Sequence, residues 1–208
     1  MVILEPLVVQ FVNTVGWRRT EAPRESVPAY LELIDWGVRQ GLVGGTEADR
    51  LREESESRPA EAMAAYRRAI RLREALFRMF EAHASDGTPD PNDLEILNAA
   101  LAESAGRRRL EATSEGFRWT WSEAAGTDLD WILWPAAYSA AELLTGEMLG
   151  RLKACPGEGC GWIFIDASRN RSRRWCDMQS CGNRAKARRH YHRSRTEADT
   201  TPAQGVDA

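Results

Sequence analysis

Apolar residues recur at three- and four-residue steps from residue 60 to 84: Ala62, Ala65, Ala69, Leu72, Leu76, Met79, Phe80 and His83. That period lays them on one stripe of a helix, with His83 as a core residue, and makes the segment the backbone of a helical domain. Shorter helices are expected over 27–40, closed by Gly41, from Thr46, where Thr46-Glu47-Ala48-Asp49 supplies a cap and early acids, and from Pro91-Asn92 to about Ser104. The apolar run 4–15 is too short for its period to decide and is read as helix. At Phe117, Trp119 and Trp121 the period drops to two. With Arg109-Leu110-Glu111-Ala112 and the intervening Thr113-Ser114-Glu115-Gly116, these residues predict a β-hairpin. Pro135 then suits the first turn of a further helix, whose stripe Ala136, Ala140, Leu143, Leu144, Met148 and Leu149 leads straight into Lys153-Ala154-Cys155. A helical domain over 1–150 is therefore expected to be mechanically joined to the C-terminal segment.

That C-terminal segment contains every cysteine of the chain. Cys155 and Cys160 form one C-x4-C pair, Cys176 and Cys181 a second, with fifteen residues between. Two chelating turns at this spacing close a tetrahedral thiolate shell that favours one structural zinc ion, with no open position for an activated water. Between the pairs, Trp162-Ile163-Phe164-Ile165 and Arg173-Arg174-Trp175 are expected to pair as short strands about Ser168-Arg169-Asn170, and Gly182-Asn183 to start a helix. The fold class read from this order is mainly α with a small β-hairpin: a helical N-terminal domain, then a small treble-clef-like zinc finger over 151–195 with a basic helix, then a disordered tail over 196–208.

Charge sharpens the picture. The net charge of −3 in 208 residues conceals ten basic residues against one acid in 169–195, a balance of +9, which leaves 18 basic and 30 acidic residues, −12, elsewhere. An acidic body with one basic end points that end at a polyanion. The expected nucleic-acid contacts are Arg171, Arg173 and Arg174 on the hairpin and Arg184, Lys186, Arg188, Arg189 and Arg193 on the helix, whose non-basic strip Ala187, Tyr191 and Ser194 is expected to dock on the hairpin. DNA is favoured over RNA. The alternative reading is a protein-interaction module whose finger docks on an acidic partner.

The words Cys181-Gly182-Asn183-Arg184, Cys155-Pro156, Cys160-Gly161-Trp162, the run from Asn170 to Met178 and Ala185-Lys186-Ala187-Arg188 resemble the CGNR zinc finger family. Upstream, Phe11-Val12-Asn13-Thr14 with Trp17-Arg18, Leu72-Arg73-Glu74-Ala75-Leu76 and Leu133-Trp134-Pro135 are similar to the ABATE domain that accompanies that finger. The resemblance implies a stress-induced bacterial transcription regulator with the four cysteines as zinc ligands and the finger as nucleic-acid contact.

For the N-terminal domain two readings stay open, a scaffold and a sensor of a small-molecule effector. Six tryptophans (Trp17, Trp36, Trp119, Trp121, Trp131, Trp134) offer pocket walls, and Asn13, Trp17 and Arg18 are the candidate ligand-binding residues. No nucleophile elbow, metal-binding histidine pair or phosphate-cradling loop stands out, so an enzyme is not expected. The chain carries no membrane-length apolar run and no secretory leader pattern, which makes the cytoplasm the expected compartment.

Overall fold

A computed structural model describes residues 5–122 and 128–199, with backbone alone at 192, 194 and 196–199. The longest element is α4 (Pro59–Ala84), 26 residues and therefore about 39 Å long. Pro59 occupies its first turn, where the missing N–H costs nothing, and the stripe from Ala62 through Phe80 is buried. Around it pack α1 (Leu7–Val12), α2 (Tyr30–Arg39), α3 (Gly45–Ser57), α5 (Pro91–Ala105) and α6 (Leu133–Thr145). Asp90 caps α5 by accepting the Asn92 N–H, ahead of a proline at the first position. Phe11, Leu33, Ile34, Leu51, Leu72, Leu76, Phe80 and Leu143 are fully buried in the shared core.

Two antiparallel ribbons belong to this body. A short one joins β1 (Val15–Gly16) to β2 (Arg24–Glu25). The other pairs β3 (Arg108–Thr113) with β4 (Gly116–Trp121) in the expected hairpin, with Leu110 opposite Trp119 and Ala112 opposite Phe117. No helix among the described residues is long and apolar enough to cross a membrane.

Several sequence expectations are corrected. The apolar run near the start is helical only as α1, because Val15 enters β1; Leu4 lies outside the described residues. Helix α6 does not run on to Cys155. It ends at Thr145, and a 3₁₀ turn (Glu147–Arg151) hands the chain to β5 (Leu152–Ala154). His83 is half-buried rather than a core residue, its Nε2 lying 3.1 Å from the Leu149 carbonyl, which ties the end of α4 to that turn. In the finger, β6 (Ile163–Ile165) pairs with β5 and not with residues 173–175. Arg173 is committed otherwise: its guanidinium donates to the carbonyls of Trp175, Cys176 and Ile165 and lies 4.7 Å from the Phe164 ring centre, which folds its backbone out of a strand.

The last helix, α7 (Asn183–Asp199), is preceded by a π turn (Met178–Gly182). It docks through Ala185, which is buried, whereas Ala187 and Tyr191 of the expected strip are exposed; Ser194 lies outside the described side chains. The helix extends four residues into the segment expected to be a tail, and 200–208 lie outside the described residues. The architecture is thus a helical body carrying a small C-terminal unit in which the first cysteine pair sits between the strands of the β5–β6 hairpin, a loop follows, and α7 closes it.

Candidate metal centre and its cradle

The four cysteines are brought to one point by three local devices. Antiparallel pairing of β5 with β6 holds the knuckle between them, and the Cys155 amide donates to the Trp162 carbonyl at 2.7 Å. The π turn swings Cys181 inward, with Asp177 accepting the amides of Gln179 and Ser180. The Cys176 amide points at Cys155 Sγ, 3.5 Å away. All four Sγ atoms lie within 4.8 Å of one another, Cys160 to Cys176 at 3.6 Å and Cys176 to Cys181 at 3.7 Å. A zinc ion with sulfurs at about 2.3 Å spaces them roughly 3.8 Å apart along a tetrahedron's edges, so the donor set fits one structural zinc ion. Three of the four side chains are buried, and none is disulfide-linked.

Thiols packed this closely resist ionising together. Hydrogen bonds from Cys160 and Cys176 drive the Cys155 thiol well below its ordinary value, and that ionised neighbour pushes Cys160 up to about 12 and Cys176 higher still. A divalent cation at the centre supplies the positive charge that lets all four become thiolates. Arg184 adds a further donor, its Nη2 lying 3.0 Å from Cys181 Sγ.

A second layer fixes the loop between the cysteine pairs. The Lys153 ammonium donates to Asp166 Oδ2 at 2.5 Å, to the Arg171 carbonyl at 2.6 Å and to the Arg173 carbonyl at 3.0 Å, which uses all three of its protons. Asp166 is completely buried and accepts the Ser168 amide and hydroxyl with its other oxygen. Burial pushes the Asp166 carboxyl up, but the Lys153 ammonium and the Ser168 donors outweigh it and hold its pKa at about 2.

The finger is seated in a cradle built by the N-terminal residues. The Asn13 side chain bridges the backbone of Ile163, donating to its carbonyl at 2.7 Å and accepting its amide at 3.0 Å, as a neighbouring strand would. The amides of Arg18 and Arg19 donate to the carbonyls of Cys160 and Gly159, so the knuckle's backbone is capped by the 17–19 turn. Gly159 and Gly161 hold φ of +71° and +70°, and a Cβ on them would lie 2.6 Å from Thr20 and 2.9 Å from Arg18; only glycine fits both demands. Arg18 reaches back to Glu74 in a two-pronged pair and to the Val12 carbonyl. Buried Arg73 joins Glu74 to Glu25 and Thr14, completing an ion network beneath the turn. Burial alone would raise the Glu74 carboxyl, but the two guanidiniums bring it below the ordinary range.

Asn13, Trp17 and Arg18, expected from sequence as ligand residues, all meet the finger or its support. Trp17 lines a cleft of about 370 Å³, which it shares with Arg24, Trp162, Cys160, Cys181 and Arg184. Trp36, Trp131 and Trp134 are core, Trp121 packs on Trp134 and Tyr138, and Trp119 is exposed, so the tryptophans do not converge on one cavity. Sequence reasoning missed Lys153 and Asp166. One signal was present: in a chain with 28 basic residues only Lys153 and Lys186 are lysine, and a compact ammonium is what three converging oxygens require.

The basic residues divide by their engagement. Arg173 faces the finger's own carbonyls, and Arg184 lies 4.4 Å over the Trp17 ring. Arg188 pairs with Glu158, Arg174 lies over Trp175, and the Arg171 backbone is held by Lys153. Lys186, Arg189 and Arg193 are exposed and have no acidic partner among the described residues.

Comparison with known proteins matches two family models to the chain. No curated protein matches it. The model of the CGNR zinc finger matches residues 151–194, and that of ABATE, whose description reads "Putative stress-induced transcription regulator", matches residues 5–147; neither is described as an enzyme. With well over half its length matched, the chain belongs to the ABATE family and carries a CGNR zinc finger at its C-terminal side.

Proposed function

We propose that this protein is a transcription regulator that binds DNA through its zinc-anchored finger, with α7 lying along the phosphates. The observation that carries the reading is the stripe Lys186, Arg189 and Arg193. Steps of three and four residues align these side chains on one side of the helix, exposed and without acidic partners among the described residues, on a chain whose remainder is acidic. Arg169, Arg171 and Arg174 are exposed on the loop between the cysteine pairs and are the candidates for reaching further phosphates or base edges. Arg184 and Arg173 serve the finger's own architecture and position this surface.

The test is selection from random DNA and RNA pools by the zinc-loaded protein at physiological salt, followed by titration of the selected sequence. With about three to five phosphates neutralised on duplex DNA, the log-log salt slope is expected between roughly −2.7 and −4.5. The pair Arg189→Glu and Arg193→Glu should weaken binding across sequences and flatten the slope. Salt-insensitive binding, or full affinity in that pair, would assign α7 to an acidic protein partner instead.

A further inference from the structure

The four cysteines of the metal centre are not equivalent. Cys155, Cys160 and Cys181 are buried, whereas Cys176 is partly exposed. Their hydrogen bonds divide the same way. The amides of Cys176 and Gly157 serve Cys155, the Trp162 amide serves Cys160, and the Arg184 guanidinium serves Cys181. No N–H group among the described residues donates to Cys176 Sγ, whose close neighbours are the sulfurs of Cys160 at 3.6 Å and Cys181 at 3.7 Å. A metal-held thiolate stays nucleophilic in proportion to the charge left on its sulfur, and every N–H donor withdraws some of it. Cys176 thus combines the most accessible sulfur with the least relieved charge. Access is built in as well: the cleft of about 370 Å³ between the body and the finger is walled by Trp17, Trp162, Arg24, Cys160, Cys176 and Cys181.

We infer that Cys176 is an oxidation site, that its oxidant is a small hydroperoxide entering by this cleft, and that Cys160 or Cys181 is the resolving partner. The Cys176 thiolate attacks the terminal oxygen of the peroxide. An S–O bond forms, the O–O bond breaks, and the leaving oxygen departs as alkoxide or hydroxide and takes a proton from water. Sulfur is oxidised to the sulfenic acid while the peroxide is reduced to an alcohol or water. Arg24, exposed and without an ion pair among the described residues, lines the same cleft and offers a guanidinium to that leaving oxygen. A neighbouring thiolate then attacks the sulfenic sulfur, the S–S bond forms, and hydroxide leaves. The spacing selects an oxidant over other electrophiles. A sulfur 3.6 Å away has to close only about 1.6 Å to reach disulfide length, and only an oxidised Cys176 gives it something to attack. One hydroperoxide thereby consumes two of the four donors. Two thiolates cannot close a tetrahedral shell, so the site releases its metal, and α7, whose preceding turn carries Cys181, loses its anchor. None of these steps depends on what α7 binds.

The test exposes the zinc-loaded full chain to hydrogen peroxide, first substoichiometric and then in excess, with a cyclic 1,3-diketone present or absent to trap sulfenic acid. Peptide mass mapping reads the site, and a chromogenic chelator reads the zinc. With the trap, Cys176 should carry about tenfold more label than any other cysteine. Without it, a disulfide from Cys176 to Cys160 or Cys181 should appear, and zinc release should track its formation. Cys176→His keeps a ligand found in three-thiolate structural sites and removes the nucleophile, so the loaded variant should release zinc about tenfold more slowly under the same peroxide. The wild-type map decides whether or not that variant loads. Equal labelling of all four cysteines, first oxidation at Cys155, Cys160 or Cys181, or peroxide consumed at exposed Met178 with zinc retained would each overturn the inference.

Discussion

Asn13 offers the sharpest test of how the finger is held. Its amide makes two hydrogen bonds, 2.7 and 3.0 Å, to the backbone of Ile163, a residue with no exposed surface, 150 positions away in sequence. Truncation to alanine removes both partners and leaves a buried N–H and a buried C=O unpaired. Each such orphan costs about 1–3 kcal/mol, so Asn13→Ala should destabilise the zinc-loaded protein by roughly 2–4 kcal/mol if some water enters the gap. In a chain of this size that lowers Tm by about 5–15 °C. Asn13→Asp is the discriminating variant: it keeps the shape and the acceptor but turns a second oxygen toward the Ile163 carbonyl, and should be at least as damaging as alanine. Urea and thermal unfolding followed by tryptophan fluorescence give the magnitude, and amide exchange at Ile163 gives the location. An aspartate variant as stable as wild type, or an alanine variant within about 0.5 kcal/mol of it, would show that the amide bridge does not hold the finger.

The same geometry sets other expectations. Chelation of the metal, or Cys155→Ser, should unfold the finger while the helical body keeps its circular dichroism at a lowered Tm; a structural site binds with about 10 kcal/mol or more, so zinc should resist dialysis and yield only to strong chelators. Lys153→Arg should lose the three-oxygen junction beneath the loop and raise the rate of zinc release about tenfold, measured with a chromogenic chelator. Trp17→Ala should remove the stack under Arg184 at a cost of about 0.5–2 kcal/mol, read by the same melts, without changing zinc stoichiometry. Gly161→Ala, with its left-handed φ and the Arg18 Cβ in the way, should be strongly destabilising; wild-type stability there would refute the seating of the knuckle.

What was legible in the sequence was local. The stripe of α4 survives from residue 62 to 80 because one face of a long helix is buried throughout, and the β3–β4 alternation survives because that ribbon has two different faces. The cysteine spacing carried the metal centre outright. The partner of Ile163–Ile165 was not legible, since all three residues are buried and show no alternation to fix which segment pairs with them. Nor was the role of Asn13, Trp17 and Arg18. Polar and aromatic residues in a short segment suit a ligand as well as a knuckle, and only the fold brings Asn13 to the Ile163 backbone, the Arg18 amide to the Cys160 carbonyl and the Trp17 ring beneath Arg184.

The amide bridge also sets a timetable for the protein's synthesis. Asn13 leaves the ribosome about 150 residues before the strand it grips, an interval of roughly 8–30 s at ordinary elongation rates. For that time the seat that Ile163 and Ile165 will fill in the body's core stands open to water. The body's core also takes in Leu152, Ile163 and Ile165 from the finger's strands, so its cradle closes only when the last quarter of the chain has emerged and its thiols have gathered. Maturation is therefore a terminal event, and the supply of metal at that moment decides whether a nascent chain completes its fold or waits with the seat exposed.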